Sequence, residues 1–307
     1  ETYLKCPARF WYQRLLDLSA LEPVAPEVPP HRKGSVLHAI LEAFLQPRLG
    51  RPIAGDPAAL RRELHQTALQ RLDELSKEGG FSAVLLDHLR DEWLAGLVDQ
   101  RPAGVLRVWL EAELRAGRTP VAVEQAQSIQ LDGLLLKAQL DRVDRTPHGS
   151  LVLDYKTGRA PRPQDVSAGL VLQPIAYAAA RAEQAPGRPV AAGFVTLGRA
   201  DAVRETGFVG EAAVLDDVRA SRRSSLELTA AEREALLTHA RESAARLRRG
   251  VAHTTLATPN QAGCRHCDFR RICRLDADRA AVLAASPADL QRPLLPDDED
   301  DDAEGAA

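Results

Sequence analysis

The chain has 307 residues, 45% of them hydrophobic and 27% charged, enough apolar material for the core of one large or two ordinary domains and too much for whole-chain disorder. No run approaches the roughly 20 uncharged apolar residues of a spanning helix, and Lys5, Arg9 and Arg14 break up any secretory leader at the start. The formal net charge of −3 conceals an acidic tail: residues 297–304 carry seven carboxylates, and setting these aside leaves +4, a mildly basic body that permits contact with nucleic acid.

In chain order, residues 1–18 read as a helix, with Tyr3, Phe10, Trp11, Leu15 and Leu18 at helical spacing. The Pro-rich run 22–30 reads as a linker, and Ser35 as the N-cap of a helix running through Leu45. Residues 46–57 are a loop; 58–115 are helical, with breaks at Gly79-Gly80 and Arg101-Pro102. At Thr119 the pattern changes to alternation. One strand follows to Leu131, and a second begins after the hairpin signal Asp132-Gly133. A turn at His148-Gly149 leads to a third strand, 150–156. A helix is expected over 164–185, strands over 190–198 and 204–210, and helix over 211–249 closed by Gly250. Residues 293–307 are expected to be disordered. The reading is α/β: a small mixed sheet flanked by helices. The chain lacks methionine altogether, even at position 1, as expected of a segment cut from a longer polypeptide.

Four cysteines stand out: Cys6 alone, then Cys264, Cys267 and Cys273. A disulfide framework is out of place in a chain of this length without a leader. Four thiolates complete either a tetrahedral zinc site or an iron–sulfur cluster. The final gap of five residues is unlike a zinc knuckle and favours a cluster, though spacing leaves both open. One centre with all four ligands would staple the chain's ends together. The arginines around it, Arg265, Arg270 and Arg271, either offset thiolate charge or touch phosphates.

The densest chemistry lies between Leu136 and Gly158. Asp141 ends one strand; Asp154 and Lys156 share a face of the next. The short turn between these strands can bring the carboxylates together, a setting for a hard divalent cation, Mg²⁺ or Mn²⁺. Only five of the 40 basic residues are lysines, which gives Lys156 added weight. Asp144, three residues past Asp141, points to the opposite face and reads as an ion-pair partner of Arg142 or Arg145.

Asp141 followed by Asp154-Tyr155-Lys156 resembles the signature of the PD-(D/E)XK nucleases. The surroundings resemble their RecB/AddB branch: Gly34-Ser35-Val36-Leu37-His38, Leu140-Asp141-Arg142-Val143-Asp144, Asp154-Tyr155-Lys156-Thr157-Gly158, and Gln173 with Tyr177. Tyr3 to Pro7 is similar to the branch's opening, and the cysteine pattern to the 4Fe–4S staple of AddB and of the CRISPR adaptation nucleases. One departure is Ala138, where the family usually has Gly. The likeness runs from residue 1 to about 275, with 58–115 as a variable helical insertion.

The resemblance implies a restriction-endonuclease-like core as a single domain over 1–292. It assigns Asp141 and Asp154 to the metal, with His38 assisting. On residues alone, His38 between Leu37 and Ala39 would read as core. Lys156 is implied to orient the attacking water, with Gln173 and Tyr177 in support, and Cys6, Cys264, Cys267 and Cys273 to hold a 4Fe–4S cluster. Glu124, on the first strand where the family often has Glu, is a candidate beside the ligands and not one of them. The implied activity is metal-dependent DNA hydrolysis, single strands favoured, within a cytoplasmic helicase–nuclease for break repair. No nucleotide-binding G-x-x-x-x-G-K-[ST] occurs, so any motor lies elsewhere. The alternatives are a free-standing exonuclease, a catalytically silent cluster-bearing DNA-binding module, and a zinc-stapled structural domain.

Overall fold

The structure, a computed structural model, describes residues 2–19, 30–78, 83–131, 134–218, 224–251, 264 and 267–273. It comprises two compact units: Val24–Ser167 with Leu172–Leu237, and Glu1–Pro23 with Ala168–Val171 and Thr238–Ala307.

The larger unit is built on a six-stranded mixed sheet in sequence order. Its strands are β1 (Thr119–Leu131), β2 (Leu134–Arg145), β3 (Ser150–Lys156), β4 (Val190–Thr196), β5 (Arg204–Gly210) and β6 (Ser225–Glu227). β1, β2 and β3 form an antiparallel meander, as alternation and short turns dictate. β3 and β4 pair in parallel, which requires a crossover; its helices are α7 (Pro163–Ser167) and α8 (Gln173–Gln184). The expected α/β class with a mixed sheet flanked by helices is what the chain adopts.

Helices α3 (Pro30–Leu45), α4 (Pro57–Glu78), α5 (Ala83–Leu94) and α6 (Val105–Ala116) precede the sheet. Asp56 caps α4 through both carboxylate oxygens, and Gly117 ends α6 in the left-handed region. Leu37, Leu41, Phe44, Trp93 and Trp109 form one core with Leu151, Leu153 and Tyr155 of β3. On the other face, Leu140, Val143 and Val152 pack with Tyr177 and Ala178 of α8. Strand alternation thus divides β3 in two: Leu151, Leu153 and Tyr155 face the helical core, while Val152, Asp154 and Lys156 face away from it.

Several boundaries differ from the sequence reading. Ser35 does not cap α3: the helix begins at Pro30, since proline is well tolerated at a first helical position. The helix expected over 164–185 is two, broken where Gly169 turns to φ 69°. The stretch 211–249 is not continuous helix but α9 (Ala212–Asp217), β6 and α10 (Ala230–Arg248). α10 starts with a reciprocal Thr229–Glu232 capping box. It ends as expected at Gly250, where Gly250 N–H and Val251 N–H donate to Leu247 and Arg246 carbonyls. The run 22–29, the turn residues Asp132 and Gly133 and the acidic tail lie outside the described residues.

In the smaller unit, the helix expected over 1–18 is interrupted by Cys6, whose extended backbone separates α1 (Thr2–Lys5) from α2 (Pro7–Phe10); Trp11–Leu15 then form a wider turn. Tyr3 meets Phe10 edge-on and donates its hydroxyl to Val251 O at 2.9 Å. Tyr12 lies 5.4 Å from Phe269. Residues from opposite ends of the chain therefore build this unit together, with α11 (Arg270–Cys273) its last described helix. Among the described residues, no helix is long and apolar enough to cross a membrane.

Candidate active site

The antiparallel register pairs Arg142 with Leu153, so the flanking Asp141 and Asp154 converge on the face away from the helical core. Asp141 is 7% exposed and Asp154 4%. Asp141 Oδ2 accepts the Tyr155 backbone N–H at 2.7 Å. Asp154 is gripped from α8: Gln173 Nε2 donates to its Oδ1 at 2.6 Å and the Tyr177 hydroxyl at 3.1 Å. Gln173 and Tyr177 are one helical turn apart and bonded to each other at 2.6 Å. Lys156 Nζ lies 2.7 Å from Asp154 Oδ2 and donates to Gln173 Oε1 at 3.1 Å. The Gln173 amide therefore spans both strand charges, its N–H on the carboxylate and its oxygen on the ammonium.

His38 reaches this centre from α3. Its Nε2 lies 3.2 Å from Tyr155 O, so that nitrogen donates. Its Nδ1 lies 3.3 Å from Glu124 Oε1 and 3.7 Å from Asp141 Oδ1. One ligand atom from each of His38, Glu124 and Asp141 falls within a 4.8 Å span. Glu124 is also held by Gln139 Nε2 at 2.6 Å. Its backbone takes φ 46°, a left-handed conformation that costs a β-carbon residue about 1–3 kcal/mol.

The electrostatics follow from burying acids together. Burial, then the neighbouring Asp154, pushes Asp141 up to about 7. Burial pulls His38 down, but Glu124 and Asp141 outweigh it and hold it above the usual histidine value. Burial opposes ionisation of Glu124, yet His38 and Gln139 keep it below the ordinary carboxylate range. Asp154 Oδ2 is buried, and the 2.7 Å ion pair with Lys156 is its close contact. Two buried carboxylates, the Glu124 carboxylate and an imidazole are a donor set suited to a hard divalent cation.

The sequence profile of the PD-(D/E)XK nuclease superfamily matches residues 1–274, a span that includes this whole centre. The chain belongs to this superfamily. It is accordingly a nuclease domain, and its mixed sheet with flanking helices agrees with the restriction-endonuclease-like fold of PD-(D/E)XK proteins. No curated protein matches the chain.

The structure places His38, Asp141, Asp154, Lys156, Gln173 and Tyr177 at one centre of this nuclease domain. It adds Glu124, which sequence reasoning set outside the ligand set. The signal was available: a two-residue turn at Asp132-Gly133 puts Glu124 opposite Asp141, and the observed pairs on either side are Val123 with Arg142 and Gln125 with Leu140.

In the smaller unit the four cysteines also come together. Cys6 caps α2, its Sγ accepting the Arg9 N–H at 3.5 Å. Cys267 N–H bonds Cys264 O, and Cys273 N–H bonds Phe269 O. Burial, then the sulfurs of Cys6, Cys267 and Cys273, pushes the Cys264 thiol up to about 11. Four sulfurs gathered in one unit are a donor set for a thiolate-binding centre, where a metal's own charge would deprotonate the ligands.

Proposed function

We propose that this nuclease domain hydrolyses DNA phosphodiesters with a divalent cation, Mg²⁺ or Mn²⁺, held by Asp141 and Asp154 with help from His38. The observation that carries the reading is the convergence of two buried carboxylates and Lys156 on one face of the β2–β3 pair. A bound cation would neutralise charge developing on the phosphoryl oxygens. The chain's own groups do the rest. Lys156 Nζ, half-exposed beside Asp154, orients a water for attack on phosphorus as the P–O bond to the leaving sugar oxygen breaks. Gln173 holds that ammonium and Asp154 in register. Tyr177 donates to Asp154 as a neutral phenol, since burial and then Asp154 raise its pKa.

Single-stranded DNA is the proposed substrate, delivered by a motor in a cytoplasmic AddB-like helicase–nuclease that acts in break repair; the sequence resemblance supports this. Residues 1–292 are proposed to act as one nuclease domain. Cys6, Cys264, Cys267 and Cys273 are proposed to hold a 4Fe–4S cluster that ties Cys6 to the C-terminal segment. The crowding of the four sulfurs in one unit supports a shared centre.

The test is cleavage of end-labelled single- and double-stranded DNA by anaerobically purified protein, with Mg²⁺, Mn²⁺ or EDTA and with Lys156→Ala in parallel. Activity lost in EDTA and in Lys156→Ala is the expected result. A folded wild type that leaves both substrates intact would refute cleavage by the isolated domain. Iron content and visible absorption test the cluster; a colourless protein containing zinc would overturn it.

A further inference from the structure

Behind the carboxylates, on the sheet face toward the helical core, lies a second set of charges that the reaction does not use. Arg142, the residue after Asp141, has no exposed surface. Its guanidinium is held on three sides. Nε donates to Asp144 Oδ1 at 2.6 Å; Nη1 and Nη2 each lie 2.8 Å from a Glu113 oxygen; Nη1 also reaches the Tyr155 hydroxyl at 3.3 Å. Glu113 comes from α6 and is itself buried. Asp144 Oδ2 is buried without a hydrogen-bond partner. The stretch that sequence reading treated as a motifless insertion thus supplies a charge to the base of the catalytic strands.

Net stability does not account for such a group. A fully buried ion set contributes little over well-packed apolar side chains of the same volume, although removing one member is costly. Its bidentate fork does, however, fix geometry. Tyr155 is where that geometry meets the active site. Its hydroxyl is held by Arg142 on one face, its N–H holds Asp141 Oδ2, and its chain neighbours are Asp154 and Lys156. Arg142 in turn follows Asp141 directly.

We propose that Glu113 is a positioning residue. Through Arg142 and Tyr155 it fixes Asp141 relative to Asp154, and so sets the affinity of the site for a divalent cation. The proposal rests on the metal-dependent reading above.

The test compares Mn²⁺ binding, followed by the electron paramagnetic resonance of free Mn²⁺, with thermal unfolding for the full chain. Glu113→Gln should melt earlier and bind Mn²⁺ about tenfold more weakly, the scale of outer-ligand effects on metal affinity. The apolar triple variant Glu113→Leu/Arg142→Met/Asp144→Leu should recover the wild-type melting temperature yet keep the weakened Mn²⁺ binding. Its cleavage should be low at limiting Mg²⁺ and partly restored at saturation. A triple variant that recovers both stability and Mn²⁺ affinity makes the network merely structural and overturns the proposal. Should the triple variant not fold, Tyr155→Phe decides: it removes only the hydroxyl link, and unchanged Mn²⁺ affinity there overturns the proposal equally. Asp141→Asn serves as the control. If wild type and Asp141→Asn both fail to bind Mn²⁺, the metal-site reading itself has failed.

Discussion

Asp141 is held against its own chemistry when no cation is present, and this should be measurable as stability. A carboxyl whose folded-state pKa exceeds its unfolded value binds its proton more tightly when folded. Its contribution is therefore full below the unfolded value of 3.8 and is lost as pH rises through about 7. At about 1.4 kcal/mol per pH unit, the span from 3.8 to about 7 bounds the loss at roughly 4 kcal/mol. At about 2–4 °C per kcal/mol for a domain of 150–250 residues, several degrees are at stake. In EDTA, melting temperature should fall between pH 5 and pH 8. Mg²⁺ should restore it at pH 8 and change little at pH 5. Asp141→Asn, which removes the charge but keeps an acceptor for Tyr155 N–H, should melt above wild type in EDTA at pH 8 while losing the response to Mg²⁺. Melting curves for both proteins at three pH values with and without EDTA decide it. If Asp141→Asn melts below wild type at pH 8 in EDTA, the carboxylate is not repelled in the folded site and the reasoning fails.

The other predictions concern the neighbours of that centre. Gln173→Leu should lower cleavage by about 10- to 100-fold with little change in melting temperature, because it removes the amide that holds Lys156 and Asp154 in register while their direct ion pair remains; equal activity in a single-turnover assay would refute its role. Tyr177→Phe should cost less, since Gln173 remains on the same Asp154 oxygen. Glu124→Gly removes a carboxylate and a left-handed conformation disfavoured for side chains. It should weaken Mn²⁺ binding while leaving metal-free stability unchanged or higher, and a drop in both would mark Glu124 as structural. Cys264→Ser should abolish the visible absorption of anaerobically purified protein; retained absorption would place the chromophore elsewhere.

The part of the architecture legible in the sequence was the part governed by local rules. Alternation with period two within β3 set the shared face of Asp154 and Lys156, and the Asp132-Gly133 signal pointed to the β1–β2 pairing. A helical turn between Gln173 and Tyr177 put both on one face bordering the site; their bonds to Asp154 came from the structure. What was missed depends on contacts distant in sequence. β6 spans only Ser225–Glu227, too short for alternation to show. Glu113 sits in a helix with several other charged residues, where nothing local marks it for burial. Its burial is decided by Arg142, which lies 29 positions away. Glu124 was undervalued because its type was weighed without its register.

Asp141, Arg142 and Asp144 lie within four residues of one strand, yet they meet opposite fates. Arg142 and Asp144 turn to the closed face, where Glu113 and Tyr155 satisfy nearly every polar atom of the guanidinium. Asp141 turns to the side of Asp154, where two buried acids face each other with one lysine and one histidine nearby. Uncompensated buried charge is among the costliest features a core can hold. The closed face sets one guanidinium against Glu113 and Asp144, all three buried and tied by direct bonds. The other sets Lys156 and His38, both partly exposed, against Asp141, Asp154 and Glu124. Backbone alternation separates the two sets, and the carboxylates of the partly open one have the sign and the oxygen donors that a divalent cation would fill.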